Sequence, residues 1–368
     1  MAKRINKIQE FLDEKDIDAL LIKSKTVKKW MNTMTGSGCQ VLITKEHGYL
    51  IVDGRYITEA KEKEHDLEII LHNPHLTGRN YLGTVEEILK KENCKTLGVE
   101  AYQVLVKEYH EIEKLGIEVL LLDQEIAHLR IVKEDEEIEA MKKSIAITDE
   151  IYQKVIEHIH VGMSEYEISA LVQYYSIASG AQQMSFDTIV ATGERTALPH
   201  GRPTSRKVKA HEPIMIDFGI QYQNYQSDMT RMCFIGEPDP KIKEIYDVVL
   251  KAQLAGLGAI KAGAKGKDVD KAARDVIEAA GYGEYFNHGL GHGLGIGEDG
   301  EGPTLNSKSE TFITSSLGLI CVVGAPLILN FSTTTKFLAF NFFIAESYCL
   351  GETLISFAHS SLRLAIQK

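Results

Sequence analysis

Asp217 and Asp228 sit in two apolar runs, Pro213 to Ile220 and Asp228 to Ile235, separated by polar, turn-compatible residues around Tyr222 to Gln226. This stretch constrains the chain more than any other, because it reads as a β-hairpin. A hairpin centred midway between the two aspartates, between Tyr222 and Gln223, sets the carboxylates directly opposite each other with Cβ atoms about 5 Å apart. Like charges at that distance repel and raise one pKa unless a cation neutralises them. On the hairpin alone, the pair reads equally as ligands able to bridge two metal ions and as strand-end aspartates that are solvated or cap turns.

A second segment, His288 to Gly295, places glycine at every odd position and His or Leu at every even one. Such alternation is strand-like, and its glycines allow another backbone to approach closely. In an extended segment His288 and His292 are roughly 13 Å apart, at about 3.3 Å per residue. One can ligate a metal and the other must do something else. A glycine-rich loop with incidental histidines is the alternative, disfavoured because two histidines in five residues is unusual in a chain with 13. The glycines do not follow the dinucleotide spacing, and the stretch around Gly263 misses the phosphate-loop spacing.

Residues 1 to about 127 alternate helix-like and strand-like runs, as an α/β domain does. Trp30, the single tryptophan, reads as a core or dimer-interface residue. From Glu134 two long amphipathic helices follow, the second opening with a capping box at Ser164 to Glu167 and closing at Gly180. A similar pair follows Asp239-Pro240. Shifting the chain by 101 residues aligns Gly162 with Gly263, Ile168 with Val269 and Gly180 with Gly281, which points to an internal duplication. Two halves packed about a pseudo-twofold seam would bring the hairpin aspartates and His292 together.

Several motifs, taken in order, resemble the pita-bread metallopeptidases of the Xaa-Pro dipeptidase and aminopeptidase P group. They are "TALPHG" (196 to 201), "IMIDFG" (214 to 219), "SDMTR" (227 to 231) and "NHGLGHGLG" (287 to 295). The similarity extends upstream through residues 42 to 60 and 129 to 144, and so covers about residues 1 to 310. It implies an α/β N-terminal creatinase-like domain over 1–127 and an α+β pita-bread catalytic domain over 128–310. By resemblance Asp217 ligates one metal, Asp228 bridges, and His292 ligates the other, while His200 and His288 bind substrate and stabilise the tetrahedral intermediate. The implied cofactors are two divalent ions, Mn²⁺ first and Co²⁺ or Zn²⁺ as alternatives. Carboxylate-rich sites favour such hard or borderline ions. The implied substrate is a proline-containing peptide, cut at the bond preceding proline at its N-terminus.

The chain also departs from the family. Two further glutamate ligands, in Glu-Pro-Gly and Arg-Ile-Glu-Asp segments, are expected, and neither motif occurs. A third family histidine, expected just before "EGP", is absent: the chain reads "GEDGEGP", where Asp299 or Glu301 occupies that neighbourhood with an extra residue, and Glu301 does not match a metal ligand. From Thr311 to Lys368 only Glu346 and Glu352 are acidic, whereas the preceding 310 residues carry 50 acids. So abrupt a change suggests a frameshifted tail over 311–368. A membrane anchor competes poorly, because Leu317 to Phe331 is short for a span that needs about 20 residues and contains Pro326 and Asn330.

A length of 368 residues, with 44% hydrophobic and 25% charged positions, suits a soluble two-domain enzyme. The net charge of −11 argues against nucleic acid or an anionic membrane as partner. No apolar signal core opens the chain. Five cysteines without a C-x-x-C pair favour reduced thiols in the cytoplasm. The expectation is a cytoplasmic, homodimeric metal-dependent Xaa-Pro peptidase. A catalytically inactive pita-bread scaffold and a non-functional truncated product are the alternatives.

Overall fold

The computed structural model describes residues 2–63, 66–78, 80–297, 301–313 and 320–322. The rest of the 311–368 tail, including Glu346 and Glu352, and Asp299 lie outside the described residues. The chain divides into two units, Met1–Arg130 and Ile131–Lys368.

In the first unit the strands are β1 (Ala19–Ile22), β2 (Cys39–Thr44), β3 (Gly48–Val52), β4 (Glu68–Leu71), β5 (Thr96–Glu100) and β6 (Glu118–Leu122). They form one mixed sheet in the order β4-β3-β2-β1-β5-β6. β1, β2 and β3 are short apolar runs buried along nearly their whole length, as central strands covered on both faces must be. Helix α1 (Ala2–Lys15) and helix α2 (Tyr81–Lys91) bury Ile8 and Leu12, and Val85 and Leu89, respectively. Trp30 is 2% exposed and belongs to the core, with Arg4 and Lys7 5.9 and 5.7 Å from its ring centre.

The second unit contains the duplication. Helix α3 (Asp135–Ile156) precedes α4 (Glu165–Ala178), and helix α5 (Pro240–Ala259) precedes α6 (Gly266–Ala279). The two second helices have the same length, 14 residues each. The equivalent glycines share one backbone conformation, Gly162 and Gly263 at φ +90° and +84°, Gly180 and Gly281 at +86° and +83°. Glycine enters this left-handed region without a Cβ penalty, which is why it ends both helices. Ser164 caps α4 through the predicted box, accepting from the Glu167 amide while Glu167 accepts from the Ser164 amide. Long-range hydrogen bonds repeat as well: the amide of Gly162 donates to Val208 O and that of Gly263 to Ile313 O.

The strands of this unit are β7 (Gln183–Met184), β8 (Ile189–Thr192), β9 (Pro213–Phe218), β10 (Ile220–Tyr222), β11 (Tyr225–Gln226), β12 (Met229–Phe234), β13 (Gly291–Gly293), β14 (Thr304–Leu305) and β15 (Ile320–Val322). One sheet runs β12-β9-β8, another β11-β10-β7, and a third β14-β13-β15. Ile214, Ile216 and Phe218 of β9 are fully buried and pack with Ile151, Val155, Ile168 and Val172 from α3 and α4. Burying each such side chain is worth about 1.5–3 kcal/mol, and their alternation fixes which way the strand faces. Residues of the other parity, Met215 and Asp217, therefore face away from that core.

The hairpin register differs from the expectation. Its two-residue turn is Gln223-Asn224, both at positive φ, with Tyr222 paired to Tyr225. Asp217 consequently faces Thr230 and not Asp228. The symmetric midpoint between the aspartates missed that the turn sits one residue later, where Gln223-Asn224 adopts the doubly left-handed conformation favoured by tight hairpins. The shift moves pairing by an even number of residues, so Asp228 stays on the same face as Asp217, on the diagonal.

Candidate metal centre

Three strands position the predicted ligands. β9 carries Asp217, the residue before β12 is Asp228, and β13 carries His292, each beside a feature that fixes the backbone. Gly219 lets the hairpin close: a Cβ there would stand 1.8 Å from the Ser227 carbonyl oxygen. Gly293 does the same for β13, where a Cβ would meet the Glu301 carbonyl oxygen at 2.1 Å. The extended geometry expected for the whole His288 to Gly295 stretch is confined to Gly291–Gly293. His288 lies at an exposed bend before it, so the two histidines do not share one strand face. Its ring packs edge-on to Phe286 at 4.7 Å, and its Nδ1 lies 2.8 Å from the Gly289 carbonyl.

His292 and Asp228 meet, with Nε2 3.4 Å from Oδ2. That carboxylate raises the His292 pKa, with smaller help from the Gly293 carbonyl and the Asp217 charge, against the opposing effect of burial. The Asp217 carboxyl is pushed up to about 7, first by burial and then by the charge of Asp228, while the Thr230 hydroxyl and the His292 ring pull it down. Its Oδ1 is buried without any hydrogen-bond partner. A buried carboxylate oxygen without a donor costs free energy unless something cationic reaches it.

That orphaned oxygen is the structural test of the implied metals. Two carboxylates from the hairpin and an imidazole from β13 of a separate sheet are the donor types of a hard or borderline divalent cation, so their chemistry suits such an ion. They are three donors where the resemblance implies five. Among the described residues no group of three or more His, Cys, Asp or Glu side chains is gathered tightly enough to hold a metal ion. Glu301 does not supplement the set: its Oε2 accepts from the Ile296 amide at 3.2 Å and lies 3.5 Å from Lys133 Nζ.

His200 is exposed on the loop after the 3₁₀ turn Gly193–Ala197, and its imidazole makes no hydrogen bond among the described residues. Sequence reasoning missed the residues that hold the histidine segments. Arg274 of α6 donates to the carbonyls of Phe286 at 2.7 Å and His288 at 2.9 Å. It is anchored by Asp270, fully buried, whose Oδ1 also accepts from the Leu290 amide at 3.1 Å. The i, i+4 spacing of Asp270 and Arg274 on a helix was the available signal, but it marks most surface ion pairs equally.

The chain matches the Creatinase/Prolidase N-terminal domain over residues 4–132 and metallopeptidase family M24 over residues 139–316. It is 36% identical over 321 residues to the Xaa-Pro dipeptidase of Pyrococcus furiosus, an alignment covering 86% of this chain and 88% of that protein. The solved Xaa-Pro dipeptidase from Bacillus anthracis superposes with a TM-score of 0.82 at 33% identity, covering 88% of this chain and 89% of that one. The prolidase from Pyrococcus horikoshii OT3 does so with a TM-score of 0.78 at 34% identity, covering 87% and 89%. The described tail residues add no acidic side chain near His292, and the family match itself stops at residue 316. With a creatinase-like domain followed by a pita-bread domain, the chain belongs to metallopeptidase family M24.

Proposed function

We propose that this chain is built for metal-dependent hydrolysis of the bond preceding proline at a peptide N-terminus, and that in its present form it performs that reaction poorly. The observation that carries the reading is the buried, donor-less Asp217 Oδ1 beside the Asp228–His292 contact. Asp217, Asp228 and His292 would hold the divalent metal, Mn²⁺ before Co²⁺ or Zn²⁺. A bound divalent ion of this kind polarises an amide carbonyl and lowers the pKa of water.

The rest falls to the chain's own side chains. His200 and His288 are both exposed and neither is needed as a ligand. An imidazole N–H in either place can donate to the substrate's carboxylate or to the oxygen that gains charge as the amide is attacked. The names of the relatives, dipeptidase and prolidase, support Xaa-Pro peptides as substrates. A homodimer in the cytoplasm completes the proposal. No helix among the described residues is long and apolar enough to cross a membrane.

Poor catalysis follows from the ligand count. The sequence contains neither Glu-Pro-Gly nor Arg-Ile-Glu-Asp, so two donors and the expected proton acceptor are missing. The same observation favours a second reading, a pita-bread protein that binds peptide without cutting it. The experiment purifies the chain, measures bound metal after Mn²⁺ or Co²⁺ loading, and assays an Xaa-Pro dipeptide beside a version whose tail restores both segments. Turnover is expected only from the restored version; comparable turnover by both overturns the claim of poor catalysis, and dipeptide binding without metal or turnover favours the second reading.

A further inference from the structure

Glu165 is the first residue of α4 and is fully buried, a rare place for a carboxylate unless donors surround it. Its Oε1 accepts from the Thr192 amide at 2.8 Å and hydroxyl at 3.0 Å. Its Oε2 accepts from the Thr204 amide at 2.9 Å and hydroxyl at 2.7 Å. Arg195 Nε lies 3.3 and 3.2 Å from the two oxygens, and the same guanidinium donates to the Arg202 carbonyl at 2.7 Å. Arg206 reinforces the base of the loop by donating to Thr192 Oγ1 at 2.9 Å and to Glu212 at 2.8 Å. Thr192 ends β8 and Thr204 begins the return, so one carboxylate closes the base of residues 193–203. His200 lies within that loop.

The duplication shows that the fold alone does not require this carboxylate. In the other half the equivalent helix α6 begins with Gly266, where a Cβ would meet the Thr304 carbonyl oxygen at 2.1 Å and Ser309 Oγ at 2.6 Å. The backbone contacts around both helix starts are the same. The amides of Glu165 and Tyr166 donate to Arg206 O and Thr204 O, and those of Gly266 and Lys267 to Thr311 O and Ser309 O. In the second half the chain itself fills the space. Only in the half whose loop carries His200 has a charged acceptor been placed there, where charge-assisted hydrogen bonds offset the entropy of ordering the loop.

We propose that Glu165 is the positioning residue of the His200 loop, holding the imidazole where it meets the bound peptide; this rests on the reading of His200 as a peptide-binding group. The test uses the full chain with E165Q, T204V, H200A and the double variant E165Q/H200A. Two readouts are taken, amide hydrogen exchange along residues 189–234 and affinity for the dipeptide Ala-Pro. E165Q keeps the side-chain shape but puts an NH₂ where an acceptor was needed. Exchange at Thr192 and Thr204 should speed up by about tenfold or more, the size expected for lost hydrogen bonds to a charged group, with β9 and β12 unchanged. Ala-Pro affinity should fall by a similar factor, T204V should give an intermediate loss in both readouts, and the double variant should bind no more weakly than H200A. T204V leaves the carboxylate paired and so keeps the test alive should E165Q fail to fold. Unchanged exchange in E165Q and T204V overturns the proposal, as do additive losses in the double variant. Failure of the underlying reading has a different signature: H200A then binds Ala-Pro as the parent does, and faster exchange in E165Q marks a purely structural role.

Discussion

Replacing Asp217 by Asn should stabilise the metal-free chain at pH 8 and leave it unchanged or weaker at pH 5. In the folded chain the Asp217 carboxyl is raised from 3.8 to about 7, chiefly by burial. A group whose folded pKa lies above its unfolded one contributes stability that is full below the unfolded value and lost as pH rises through the folded value. Ionised Asp217 therefore opposes folding above about pH 7, with Oδ1 buried and donor-less. The shift sets an upper bound of about 4 kcal/mol at 1.36 kcal/mol per pH unit. Because the side chain keeps some solvent contact and Asn buries its own amide, about 1–3 kcal/mol is the working figure. For a domain of this size that corresponds to roughly 2–10 °C in melting temperature. Melting both proteins in chelator at pH 5 and pH 8 measures it, and adding Mn²⁺ should raise the parent's melting temperature and not the variant's. A D217N chain less stable than the parent at pH 8, or a difference independent of pH, would refute the argument that burial of this charge is uncompensated.

Three further outcomes follow from the geometry. In the version with both glutamate segments restored, His288→Ala should lower turnover by about a hundredfold with metal content intact; loss of metal together with activity would make His288 a ligand. Asp270→Ala leaves the half-buried Arg274 guanidinium without its carboxylate partner and the Leu290 amide without its acceptor and should cost about 1–3 kcal/mol, read by urea unfolding. Gly219→Ala forces a Cβ to within 1.8 Å of the Ser227 carbonyl and should cost about 1–3 kcal/mol or more, with the hairpin amides of Ile220 and Ser227 losing exchange protection first.

The duplication and both helix pairs were legible because their signals are local. A capping box at Ser164 and left-handed glycines at 162, 180, 263 and 281 act within a few residues of where they stand. The hairpin was legible as well, but its centre was not. Alternation constrains which face a residue occupies, whereas the turn position depends on which pair tolerates positive φ, and Gln223-Asn224 took it. The face parity survived that error because the pairing moved by two, and so the aspartates were still placed together.

What the sequence by itself determined is therefore the inventory and the local geometry: two repeated helix pairs, a hairpin with both carboxylates on one face, and a glycine-spaced histidine segment. Only the tertiary structure decided that His292 Nε2 stands 3.4 Å from Asp228 Oδ2, that His288 sits at an exposed bend outside the strand, and that Glu165 is buried at the base of the His200 loop. Those outcomes depend on segments distant in the chain arriving at one place. A carboxylate's role is set by which donors and charges converge on it, and no spacing along the chain encodes that convergence.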